Sequence, residues 1–91
     1  MTILEDLRKE IDEIDEKLVS LFERRMEKSL DIGKYKVINN MEVLDEEREK
    51  EIIKKNVKKL KNSEFAKELE EFLLTIMDLS KKLQNERFTD R

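Results

Sequence analysis

Six polar residues sit where a helical repeat calls for core: Arg25, Lys36, Arg48, Glu49, Ser80 and Gln84. Charged side chains are rarely buried unless they are paired or serve a ligand. Three helices, each donating two of these groups to an inner face, would build a site for a small anion. Arg25 occupies the heptad position of Leu4, Ile11, Leu18 and Ile32. Lys36 follows eleven residues later, almost three whole turns and about 16 Å along the same face. Both side chains are long enough to converge on one anion held between them. Asp45, Arg48, Glu49, Ile52 and Ile53 share a face of the second helix, where Glu49 offers an acceptor for a hydroxyl. Ser80 and Gln84 stand one turn apart on the face of Leu69, Leu73, Ile76 and Leu83.

Taken singly, each residue also has a structural reading. Arg25 can snorkel or pair at a helix seam. Arg48 and Glu49 can form an ion pair near a helix start, and Gln84 can satisfy its amide with an interhelical hydrogen bond. Arg8 is a separate case. It precedes Arg25 by seventeen residues, about 25 Å and roughly 100° around the helix. Arg8 and Arg25 of one chain therefore cannot grip the same small molecule. Either Arg8 is a solvated surface residue, the reading its position alone favours, or it enters the site of a partner protomer.

Composition narrows the chemistry. The chain has no histidine and no cysteine. That removes the usual general base, the thiol nucleophile, the disulfide framework and the usual zinc ligands. Net charge is −3, from 20 basic and 23 acidic residues interspersed along the chain, so no global field points to nucleic acid. The lysines at 54, 55, 58, 59 and 61 lack interleaved aromatics and read as a solvated face. The acidic cluster Asp12, Glu13, Asp15 and Glu16 lacks the glycine and alternation of a calcium loop. MTILEDLRKE has no apolar signal core and no run reaches membrane-spanning length, so a cytoplasmic protein is expected.

The elements that must position these residues are helices. Charged residues make up 47% of the chain, with one glycine and no proline, a composition that suits long helices and not strands. A three-and-four apolar repeat predicts a first helix over about 2–38, opened by a capping box between Thr2 and Glu5 and broken at Asn39 and Asn40. Gly33 lies inside this pattern at a cost of about 1 kcal/mol. Asp45 caps a second helix over about 45–61, with Ile52, Ile53, Val57 and Leu60 as its stripe. A third spans about 64–87, leaving a frayed tail from position 88 onward. The chain reads as one all-α domain, 1–91. A first helix of about 35 residues would span roughly 50 Å, whereas a compact 91-residue globule is near 30 Å across. The overhang carries an apolar stripe, so an intertwined homodimer is expected.

The segment LRKEIDEIDEKLVSLFERR, then GKYK, DEEREKEI and SKKLQ, resembles the AroQ-type, all-helical chorismate mutases along nearly the whole chain. The family's pattern is an arginine early in helix one, a second arginine seventeen residues later, and a lysine in G-K-x-K. It continues with D-x-x-R-E opening helix two and S-x-x-x-Q in helix three. Here these are Arg8, Arg25, Lys36, Asp45, Arg48, Glu49, Ser80 and Gln84. The resemblance implies conversion of chorismate to prephenate by a Claisen rearrangement, in aromatic amino-acid biosynthesis, without cofactor or metal. It implies that Arg25 and a partner's Arg8 bind the two carboxylates, with Ser80 in support. It implies that Lys36 and Gln84 donate to the ether oxygen and that Glu49, with the backbone near Asp45, takes the ring hydroxyl. Arg48 is then expected to orient Glu49 or add positive potential. The alternatives are a non-catalytic helical dimerisation or regulatory module and an isochorismate-pyruvate lyase of the same fold.

Overall fold

The computed structural model describes residues 2–88. The chain is all-α, with helices α1 (Ile3–Ile38), α2 (Glu46–Val57) and α3 (Ala66–Phe88), a 3-10 turn at Ser63–Phe65, and no strand among the described residues. Local chemistry accounts for most of the boundaries. Thr2 Oγ1 accepts from the Glu5 N–H at 3.1 Å while Glu5 Oε1 accepts from the Thr2 N–H at 3.1 Å. This reciprocal box satisfies two of the free donors at the start of α1. The end of α1 is equally explicit. Asn40 takes a left-handed φ of 54°, a conformation that asparagine tolerates better than most side chains. Its N–H reaches the Val37 carbonyl at 3.3 Å and the Met41 N–H reaches the Lys36 carbonyl at 2.7 Å. That pair of bonds is the Schellman closure, with asparagine in the place glycine usually takes.

The second helix is shorter than its sequence pattern predicts. Asp45 does cap it, accepting from the Arg48 N–H at 3.0 Å, but α2 ends at Val57 and not at 61. The Asn56 side chain donates to the Ile52 carbonyl at 2.8 Å, a local bond that competes with helix continuation. Lys59 and Leu60 then donate to Asn56 and Val57 at 3.0 and 3.2 Å, three residues back, which tightens the chain into a turn. Asn62 accepts from the Glu64 N–H at 3.0 Å and opens the 3-10 turn, so the regular helix begins at Ala66 and not at 64.

Phe88 also departs from expectation. It belongs to α3 and is half-buried; positions 89–91, the rest of the expected tail, lie outside the described residues. Phe88 packs over Gly33, where a Cβ would meet Phe88 Cε2 at 2.9 Å and Gln84 Cγ at 3.0 Å. The glycine therefore allows a close approach of α3 to α1 at this level.

Helix α3 lies between the other two, against the C-terminal half of α1 on one side and α2 on the other. Met77, on α3, is the buried apolar residue among those described, and Ser29, Ser80 and Gln84, which line the same cavity, are buried polar groups. The N-terminal half of α1 projects beyond this packing, and residues 2–24 are all exposed. The dimensions follow: 56 × 25 × 15 Å with a radius of gyration of 16.6 Å, against about 12 Å for a compact chain of this length. Leu4, Leu7, Ile11, Ile14, Leu18 and Leu21 on the projecting arm each keep roughly half their surface exposed.

Candidate functional site

A cavity of about 270 Å³ opens where the C-terminal half of α1, the start of α2 and the C-terminal half of α3 meet. Seven of the eight residues singled out in the sequence line it: Arg25, Lys36, Asp45, Arg48, Glu49, Ser80 and Gln84. Arg8 does not. It sits on the exposed projecting arm of α1, about 25 Å along the helix from Arg25. Lys28 and Lys81 are additional cations at the wall. Of the five cations at this wall, Lys28, Arg48 and Lys81 are ion-paired with Asp31, Glu51 and Glu49, whereas Arg25 and Lys36 have no carboxylate partner among the described residues. Two uncompensated cations in a partly desolvated concavity favour an anion.

Ser80 organises the α1–α3 wall. Its Oγ accepts from Arg25 Nη1 at 3.1 Å and from the Ser29 hydroxyl at 3.0 Å. Arg25 is thereby held by a neutral hydroxyl, and no carboxylate among the described residues lies within salt-bridge distance of it. Burial, and then the positive charge of Arg48, push the Arg25 pKa below its usual value. Both causes act against the charged form, and both would be offset by an anion in the cavity. Ser29 was not among the expected residues. Its signal was positional, since it lies one turn beyond Arg25 on the same face.

Gln84 is buried, and its Nε2 donates to the Ser29 carbonyl at 2.5 Å. That is the interhelical bond its structural reading anticipates, and it uses one of the amide's two N–H donors. Lys36 Nζ donates to the Val43 carbonyl at 2.9 Å. The loop after the Asn40 turn brings that carbonyl back, leaving two of the ammonium's three donors for other partners.

The α2 side differs from expectation in one respect. Arg48 is exposed, and its guanidinium pairs with Glu51; it does not hold Glu49. Lys81 does so instead, with Nζ 2.8 Å from Glu49 Oε2 and 3.3 Å from Asp78 Oδ1. The hydrogen bond to Glu49 raises the Lys81 pKa, against an opposing effect of burial. Lys81 adjoins Ser80 and Lys82 in an ordinary-looking charged run, so its type and spacing do not mark it in the sequence.

The site therefore offers unpaired cationic and amide donors at one end and a fixed carboxylate at the other. The arrangement suits recognition of an anion that also carries a hydroxyl. Among the described residues no group of three or more acidic, histidine or cysteine side chains could hold a metal, and no helix is long and apolar enough to cross a membrane. A family model described as chorismate mutase type II matches residues 7–85. No curated protein and no solved structure matches the chain.

Proposed function

The chain belongs to the chorismate mutase type II family, and from that premise we propose that it converts chorismate to prephenate in the cavity lined by Arg25, Lys36, Glu49 and Gln84. The observation that carries this reading is the pair of uncompensated cations, Arg25 and Lys36, lining one small cavity together with the Gln84 amide, with a carboxylate held at its edge. Chorismate is a dianion with a ring hydroxyl, so it asks for cations and one acceptor.

The rearrangement is intramolecular. The ether C–O bond of the enolpyruvyl arm breaks as a C–C bond forms to the ring, and no proton changes hands. A chain without histidine or cysteine can therefore perform it. Breaking of C–O ahead of C–C bonding leaves negative charge on the ether oxygen. Lys36 and the second N–H of Gln84 are the donors that meet it. Donors aimed at charge that exists only in the transition state lower the barrier instead of merely tightening binding. Arg25 grips one carboxylate, where its planar fork suits bidentate pairing, and Ser80 keeps that fork in place. Glu49 accepts from the ring hydroxyl, beside the backbone at Asp45. Arg48 adds positive potential. Holding the flexible arm over the ring supplies the proximity contribution.

The second carboxylate requires Arg8 of a partner subunit. The projecting arm of α1 supports this reading, because its apolar stripe is uncovered along residues 2–24 and exposed patches of that extent mark association surfaces. Two arms packed along each other would cover both stripes and carry each Arg8 toward the other protomer's cavity. The protein is then a homodimer, and a cytoplasmic one in keeping with the expectation from its sequence.

Incubation with chorismate, with the product identified by proton NMR, tests the proposal. Prephenate supports it. Release of pyruvate from isochorismate without chorismate turnover would assign the lyase reaction, and neither activity in a folded dimer would make the chain a helical dimerisation or regulatory module.

A further inference from the structure

Lys81 stands one residue beyond Ser80 on α3 and so points about 100° away from the wall that Ser80 and Gln84 form with α1. It turns toward α2. The Lys28–Asp31 and Arg48–Glu51 pairs each stay within one helix and are exposed, at 77%/75% and 55%/62% of their side-chain surfaces. The Lys81–Glu49 pair joins two helices at 26%/21%. A sheltered pair of this kind fixes both ends in place more firmly than a solvated one.

Its placement solves a problem the cavity otherwise has. Glu49 shares the cavity with Arg25, Lys36 and Arg48. A carboxylate free to rotate there would fold onto the nearest guanidinium and neutralise it, closing the anion site on itself. Lys81 holds Glu49 Oε2 across the α2–α3 contact, while Asp78 gives the ammonium a second anchor on its own helix at 3.3 Å. Oε1 has no hydrogen-bond or ion-pair partner among the described residues, on a side chain that lines the cavity. Charge is thereby kept separated, with acceptor at one end and open cations at the other.

We propose that Lys81 is a positioning residue of the site: it holds the Glu49 carboxylate toward the substrate's ring hydroxyl and off Arg25. The inference rests on the chorismate reading above and extends it to a residue outside the family pattern quoted from the sequence.

Lys81→Met keeps the aliphatic stem and removes the charge, and Lys81→Arg restores it. The expected result is a loss of about tenfold in kcat/KM for chorismate in Lys81→Met, the size of one charge-assisted hydrogen bond. It should be carried mainly by KM, with helical circular dichroism unchanged and activity largely recovered in Lys81→Arg. In a Glu49→Gln background there is no carboxylate to hold, so the second substitution at Lys81 should add less than twofold. If Lys81→Met does not fold, Lys81→Gln is read in the same cycle. Wild-type turnover with an unaffected Lys81→Met, or full additivity with Glu49→Gln, overturns the role of Lys81 alone. Absence of wild-type turnover overturns the substrate assignment and this inference with it.

Discussion

Phe88 closes directly over Gly33, so that a methyl group on the glycine would lie 2.9 Å from the ring and 3.0 Å from Gln84 Cγ. The last described residue of the chain and the single glycine of α1 thus set how closely the Gln84 amide approaches α1. Gly33→Ala puts two effects in opposition. Alanine favours the helix by about 1 kcal/mol, while the added carbon pushes Phe88 and Gln84 outward. Because the ring can swing aside, the expected stability stays within about 1 kcal/mol of wild type by urea unfolding. Activity is more demanding, because small displacements of a positioned group can cost up to about a hundredfold. A drop in kcat of about tenfold or more with near-normal unfolding is the predicted separation. Normal kcat would show that Gln84 does not need this packing.

Gln84 also governs the pH dependence. Its amide donates at any pH, and the chain has no histidine or cysteine to titrate near neutrality. A nearly flat kcat between about pH 5 and 9 is expected. Gln84→Glu should behave differently, because only a protonated carboxyl can donate to the ether oxygen. At pH 7.5 it should fall by about a hundred- to a thousandfold, the cost of one donor to a developing oxyanion, and recover as the pH drops toward the carboxylate range. A bell-shaped wild-type profile centred near neutrality would contradict the assignment.

Arg25 carries a cost to the fold that the ligand should repay. Its pKa is depressed by burial and by Arg48. A base whose folded pKa lies below its unfolded value opposes folding wherever it is protonated, which for an arginine is the whole working range. Arg25→Met keeps the apolar stem and should raise the melting temperature of the unliganded protein, read by thermal circular dichroism. The same variant should lose most of its activity. A lower melting temperature would mean that the Arg25–Ser80 bond outweighs the repulsion.

Much of the architecture is readable before folding because its causes are local. The Thr2–Glu5 box, the Asp45 cap and the Asn39–Asn40 break each involve groups within a few residues of one another, and the apolar period sets the helices between them. The early end of α2 escaped because the lysines beyond Val57 have helix propensity, while the deciding bond from Asn56 to Ile52 depends on a side-chain rotamer. At the cavity, the inward polar residues could be found because each violates an apolar pattern. Ser29, Lys81 and the Gly33–Phe88 contact violate none. Their roles exist only once α3 has docked on its neighbours, a relationship between positions about 50 residues apart in two of the three cases. Of the two roles expected for Arg48, orienting Glu49 is not seen: Arg48 pairs with Glu51, three residues on and on the same helix face, whereas the adjacent Glu49 points elsewhere.

The measurement that bears most directly on the account is the loss of chorismate absorbance with wild type, Arg8→Ala, Lys36→Ala, and an equimolar mixture of the two variants after dimer exchange. Wild type should turn over, and each variant alone should lose about a hundredfold or more. The mixture should regain up to about a quarter of wild-type activity, because half the dimers are mixed and each mixed dimer assembles one intact site. Turnover by wild type with no recovery in the mixture would contradict the shared site, and no turnover by folded wild type would contradict the mutase reading itself.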